Sequence, residues 1–372
     1  MGHQYFDRGA LKIKPLSSRA SRVVIERDCI LPDTKPIPLS GEKYDILHQT
    51  VQRIKIARSK KKSVVLAFGA HTIKNGLGPV LIKLIEGGWI THLATNGAGI
   101  IHDWEFSYQG KSSEDVRKNI QKGQFGLWQE TGFYINLAIV IGGYKNLGYG
   151  ESVGKMIQEE GLDIPSLNEL KHIIRTKIDD NPELVAAASD CYYTIKKFGI
   201  KSGFMNIPHP FKKFSVQAVS YKVNVPFTGH PMIGHDIIYC HPLNNGAAIG
   251  RTALRDFLRY ASSINNIEDG VYLSLGSAVM SPMIFEKSFS MAQNISLKEG
   301  KHIQNHFILV VDLAQISSDW LRNKEPPPDD PAYYVRYCKT FSRMGGKMRY
   351  LSLDSKDFLL NLLHSLEAIT KL

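Results

Sequence analysis

The feature that most constrains this chain is a recurring unit: a short, almost continuously apolar run, a glycine-rich polar turn, and then a segment with apolar residues at helical spacing. Ser63 to Phe68 with Gly69 behind it is the first such run, and Gly78 to Glu86 then sets Val80, Leu81, Leu84 and Ile85 on one helical face. Strands are expected again at His92 to Thr95, Ala138 to Ile141, Ile237 to Cys240, Val271 to Leu275, Phe307 to Val311 and Met348 to Ser352. Helices are expected at Tyr44 to Arg58, Pro182 to Lys197, Gly250 to Tyr260, Pro282 to Gln293 and Lys356 to Ile369. Strands that do not alternate with polar residues are buried on both faces. The pattern therefore predicts an α/β fold, a doubly wound, mostly parallel, Rossmann-like sheet with helices on both faces.

Pro15, Pro32, Pro36 and Pro38 break up the start of the chain, so residues 1–42 read as an extended arm and 43–372 as a single α/β domain. With 43% hydrophobic and 22% charged residues, the chain can build its core without disulfides. Cys29, Cys191, Cys240 and Cys338 are too scattered for a zinc site or a redox pair and fit free thiols in a reducing compartment. No apolar run approaches the ~20 residues of a membrane span, and Met1 to Arg22 lacks the apolar centre of a secretory signal. A cytoplasmic protein without a membrane partner is expected. The net charge of +11 favours an anionic ligand. The densest basic run, Arg53 to Lys62, reads as the solvated end of a helix, and without an aromatic platform nucleic acid is not an expected partner.

Sheets of this kind bind ligands in the loops that leave the carboxyl ends of their strands. Those loops read Gly69-Ala70-His71, Asn96 through Asp103, His241 through Asn245, Gly276-Ser277-Ala278 and Asp312 through Gln315. The glycines after Asn96 and at Gly276 let backbone amides approach a phosphate, and Ser281-Pro282 reads as a helix cap followed by proline at the first helical position. Neither segment is a Gly-x-Gly-x-x-Gly fingerprint. His102 and Asp103 are candidates for acid/base work and substrate hydrogen bonding. His230, His235 and His241 match no zinc spacing and read as structural, so no metal is expected. Lys339, among Tyr333, Tyr334, Tyr337 and Phe341, is either a solvated helix lysine or a desolvated nucleophile able to form an imine.

Several segments keep a common order and spacing over most of residues 60–370: Phe68 to Asp103, Val225 to His241, Leu275 to Asn294, Asp312-Leu313-Ala314-Gln315 and Asp354-Ser355. In these the chain resembles deoxyhypusine synthase, an NAD-dependent enzyme that moves the aminobutyl group of spermidine onto a lysine of a translation factor. The resemblance implies NAD held by Ala70, His71, Asn96, Gly97, Ala98, Gly276, Ser277, Ala314, Asp354 and Ser355. It implies a catalytic Lys339, in Tyr337-Cys338-Lys339 where the family has Trp-Gly-Lys, and a homotetramer with active sites between subunits. Asp236 matches a family aspartate and becomes the amine anchor, with Asp103 and His241 also on the substrate side.

The departures are informative. His102 stands where the family has its second polyamine-binding glutamate, Ser281-Pro282 where it has Lys-His, and Ile316-Ser317-Ser318-Asp319 does not reproduce its Asp-Gly-Ser loop. A cationic polyamine needs carboxylates to offset its desolvation. The expectation is thus a deoxyhypusine synthase-like NAD-dependent transferase, acting on a small amine or a protein lysine acceptor by a reaction other than deoxyhypusine synthesis, with His102 as acid/base. Another NAD-dependent enzyme of a small amine or amino acid, and a non-catalytic nucleotide-binding protein, are the alternatives.

Overall fold

The computed structural model describes residues 2–316 and 325–368. At its centre lies a six-stranded sheet of β1 Val64–Phe68, β2 His92–Thr95, β3 Phe227–Gly229, β4 Val271–Leu275, β5 Phe307–Asp312 and β6 Lys347–Ser352. Every pairing is parallel, and the spatial order is β6-β5-β4-β1-β2-β3. The chain winds outward from β1 through β2 and β3, returns to the other side of β1 as β4, and winds outward again through β5 and β6. The strand order therefore reverses between β1 and β4. That switch point is where the loops on the carboxyl edge part and leave a crevice.

The helices used below are α1 Gly41–Ser59, α2 Gly78–Glu86, α3 Gly97–Gln109, α4 Gln129–Tyr144, α5 Gly246–Asn265, α6 Met280–Lys298, α7 Arg336–Ser342 and α8 Ser355–Glu367. Alternate residues of β1 point into two separate cores. Val64, Leu66 and Phe68 join the core beneath α1, α2 and α8, whereas Val65 and Ala67 join the core that holds Tyr260 and Ile264 of α5, Phe285 and Phe289 of α6 and Phe341 of α7. A strand has two faces, and both are covered. This is why β1 and β4 read as unbroken apolar runs.

Two expected strands take other forms. Ala138 to Ile141 lies inside α4, a helix buried around most of its circumference, and a short apolar run inside such a helix has no periodicity to distinguish it from a strand. Ile237–Cys240 is a 3-10 turn; the strand of that region is the three-residue β3, entered directly from Pro226 and too short to leave a pattern. Residues 2–40 lie along the domain. Leu16 and Ile25 are buried, and Val23–Val24 pairs antiparallel with Lys111–Ser112. Among the described residues no helix is long and apolar enough to cross a membrane. Ser317, Ser318 and Asp319 of the expected loop departure, and the Ile369 end of the last expected helix, lie outside the described residues.

Candidate functional site

At the switch point the turns after β1 and β4 touch. The Gly69 amide donates to the Leu275 carbonyl at 2.9 Å, and a Cβ at Gly69 would lie 2.1 Å from the Gly276 carbonyl oxygen. Gly276 has φ +51°, in the left-handed region. Close approach at one turn and a left-handed backbone at the other leave glycine as the residue that fits both. Beyond them opens a cleft of about 410 Å³, lined by the residues that follow β1, β2, β3 and β4. Two larger hollows, about 520 Å³ beside Glu26 and Lys213 and about 600 Å³ beside Glu151 and Arg259, gather no such set of strand ends.

Each wall of the cleft has a local cause. Asn96 follows β2 in extended conformation and its Oδ1 accepts from the Gly99 amide at 3.0 Å, capping α3. Gly97, the first residue of α3, lets the Asp236 carboxylate pack against the backbone, for a Cβ there would lie 2.1 Å from Asp236 Oδ2. That oxygen is buried without a hydrogen-bond partner among the described residues, and burial pushes the Asp236 pKa up to about 7. The positive end of α3 favours the ionised form. The group is poised to take either a proton or a donor from a ligand.

The structure brings Ala70, His71, Asn96, Gly97, Ala98, Asp236, Gly276 and Ser277 together in this cleft. Ser355 Oγ approaches within 4.0 Å of the position a Gly276 Cβ would take. Ala314 and Asp354 follow β5 and β6 on the same edge without lining the cleft; Tyr350 donates to the Ala314 carbonyl at 2.7 Å and Asp354 caps α8.

Four other candidates sit elsewhere, for identifiable reasons. Because α3 starts at Gly97, Asp103 lies in its second turn, not in a loop, and faces away. Its two oxygens accept from the amides of Val216 and Gln217, the Ser215 hydroxyl and the Gln217 side chain, and burial raises its pKa against those bonds. His102 Nδ1 lies 2.7 Å from Ser112 Oγ, which donates to Glu105; burial first, with nearby Lys74 and Arg19 adding, lowers the histidine to about 4. His241 packs on Gly132, accepts from the Leu243 amide at 3.1 Å and is lowered to about 4 by burial and Arg8. Lys339, on α7, holds its ammonium 3.5 Å from the centroid of the Tyr333 ring.

Gly69, expected only as the start of a ligand-facing loop, and His230, expected to be structural, both line the cleft. The signal for His230 was its place directly after a strand, hidden because β3 itself was illegible. Among the described residues no group of three or more His, Cys, Asp or Glu is placed to hold a metal ion.

The chain matches no protein-family model and no curated protein. Among solved structures it is similar to unliganded AgrE, at 15% identity and a TM-score of 0.45 over 90% of this chain and 34% of that chain. It is similar to a protein described as LOR/SDH from Methanococcus maripaludis S2, at 14% and 0.44 over 92% and 74%. It is also similar to a protein described as a deoxyhypusine synthase from Entamoeba histolytica, at 12% and 0.40 over 89% and 90%. The chain thus spans 34% of the length of AgrE. These are likenesses of fold, and the chemistry of the cleft is read from its own residues.

Proposed function

We propose that this chain is an NAD-dependent enzyme whose cleft takes an amine substrate. The observation that carries the reading is the all-parallel strand order 3-2-1-4-5-6 with a polar cleft at its switch point, the arrangement in which dinucleotides lie across the carboxyl edge of a sheet. A cleft of about 410 Å³ falls in the range of small-molecule sites, ~300–1,000 Å³. In this reading the turns at Gly69-Ala70-His71 and Gly276-Ser277 hold the pyrophosphate through backbone amides, and Asn96, at the end of β2, lies beside it. Ala98 and Ser355 border the same space, and Ala314 and Asp354 extend its edge. The net charge of +11 suits an anionic cofactor.

The amine is assigned to Asp236. A buried carboxylate oxygen without a partner is costly, and an N–H donor from an ammonium or amine relieves that cost. When bound, NAD supplies an acceptor for the hydride that leaves the amine-bearing carbon. The chain's own residues hold the amine, exclude water and take its proton. Whether a group is afterwards transferred through Lys339 is a separate step, and the cleft does not depend on it.

The test is calorimetric titration of the protein with NAD, with Asn96→Asp and Lys339→Ala alongside. Aspartate caps a helix as well as asparagine does, so Asn96→Asp keeps α3 and adds a negative charge beside the phosphates. Saturable binding weakened about tenfold or more by Asn96→Asp, and spared by Lys339→Ala, is the expected result; ~1.4 kcal/mol of repulsion suffices for that factor. No binding to the unmodified chain removes the proposal.

A further inference from the structure

A line of polar side chains runs through the sheet behind the cleft. His230, which lines the cleft, has Nε2 2.9 Å from Thr228 Oγ1 in the middle of β3. The same Thr228 oxygen lies 2.9 Å from Nε2 of His92, the first residue of β2, and His92 Nδ1 lies 2.8 Å from Ser263 Oγ on α5. His92 and Thr228 are fully buried. Ser263 lines the hollow of about 600 Å³ that also holds Val225, Pro226 and Phe227, at the amino end of β3. The line thus joins the ligand cleft at one edge of the sheet to a separate open hollow at the other. Tyr260 packs edge-on to both imidazoles, at 5.6 Å from His92 and 5.2 Å from His230, and fixes their planes.

We infer that His230, Thr228, His92 and Ser263 form a proton relay that carries the proton released in the cleft to the hollow on the far edge of the sheet. The inference rests on the reading of the cleft as a site of amine oxidation, which releases one proton for each hydride removed. The bridging groups are hydroxyls, and a hydroxyl that donates to one imidazole nitrogen can accept from the other, the Leu93 carbonyl at 3.5 Å being a longer alternative acceptor for Thr228. Two proton arrangements satisfy every link. In the first, His230 carries its proton on Nε2 and offers the Nδ1 lone pair to the cleft, a nitrogen without a hydrogen-bond partner among the described residues. A proton accepted at Nδ1 is matched by the Nε2 proton passing to Thr228 Oγ1, whose own proton passes to His92 Nε2. The His92 Nδ1 proton then passes to Ser263 Oγ, which releases one proton to the hollow. One proton enters, one leaves, and no electrons move.

Both rings remain neutral before and after. This agrees with their surroundings, since burial, with His230 and Arg259 adding, lowers His92 to about 3, and burial alone lowers His230 to about 3. No carboxylate hydrogen-bonds to either ring among the described residues, so nothing traps an imidazolium midway. A histidine that served packing alone at the start of β2 would need no exit to solvent, and an apolar residue there would avoid the cost of burying an imidazole.

Nitrogen NMR of the ¹⁵N-labelled full chain tests the relay without any substrate. Both rings are expected to be neutral at neutral pH with linked tautomer populations. Thr228→Val, which keeps shape but removes the hydroxyl, should change the tautomer populations of both rings, and Thr228→Ser should restore them. Ser263→Ala, at the less buried end and harmless to the sheet, should shift the tautomer population of His230 three hydrogen bonds away. A doubly protonated ring at neutral pH, or a His230 population unmoved by both Thr228→Val and Ser263→Ala, overturns the relay. Titration of Thr228→Val with NAD keeps the two readings apart. Unchanged NAD affinity with altered tautomers supports both, whereas wild-type protein that binds no NAD removes the amine-oxidation reading and leaves the relay to stand or fall on the NMR.

Discussion

Asp236 shows how far a residue's chemistry can be set by its surroundings. Burial raises its pKa from 3.8 to about 7, so between those values the folded chain holds a proton that the unfolded chain has lost. Stability therefore falls as pH rises across that window. At about 1.4 kcal/mol per pKa unit the whole effect is at most ~4 kcal/mol, and the positive end of α3 reduces it. Asp236→Asn removes the titration and should flatten this part of the profile by ~1–4 kcal/mol. Asp256, also pushed to about 7 by burial, slopes in the same sense in both proteins and cancels in the comparison. Urea unfolding of the two proteins at several pH values between 4 and 7 checks this, and parallel profiles would show that burial does not control the group. At this scale the site was partly legible: Asn96, Gly97, Gly276 and Ser277 stand out as polar or small residues ending apolar runs. His102 and Asp103 were misplaced because the Asn96 cap starts α3 at once, and by the second helical turn the side chains point into the protein.

Among the elements, the contact between the β1 and β4 turns shapes the cleft, and Gly69 is its tightest point. A Cβ there must displace the Gly276 carbonyl, which is backbone, and the Gly69 amide is already bonded to Leu275. Gly69→Ala should destabilise the fold by ~1–3 kcal/mol and weaken NAD binding in the protein that remains folded. Gly250, inside α5 with open space around it, is the control: alanine there should stabilise by ~0.5–1 kcal/mol. Chemical denaturation of both variants decides the matter, and a Gly69→Ala protein as stable as Gly250→Ala would mean that the turns can separate freely. The strands flanking this contact were legible because central parallel strands must be apolar throughout. β3 was not, because its three residues owe their conformation to pairing with Leu93, Ala94 and Thr95, a partnership written about 130 residues away in the chain.

At the scale of the whole molecule, a buried ion pair ties the segment before α1 to the cleft-bearing domain. Arg19 meets Glu105 of α3 with two bonds of 2.8 and 2.7 Å, and the two side chains are 2% and 1% exposed. Burial works to raise the Glu105 pKa, but the charge and hydrogen bonds of Arg19 outweigh it, and the carboxylate also accepts from Thr131 and from Ser112, the hydroxyl that holds His102. No periodicity could reveal a contact between residues 19 and 105, and an arm read from its prolines alone shows nothing of its docking. Removing the cation strands a buried carboxylate, so Arg19→Met should cost ~3–5 kcal/mol. Arg19→Met combined with Glu105→Gln should recover part of that loss, because the neutral amide no longer needs a counter-charge and still accepts from Thr131 or Ser112. Equilibrium denaturation of the single and double variants measures the recovery. A double variant no more stable than Arg19→Met would place the stabilisation in the packing of the segment around Leu16 and Ile25 and not in the ion pair, and the segment would then be held to the domain by its apolar contacts.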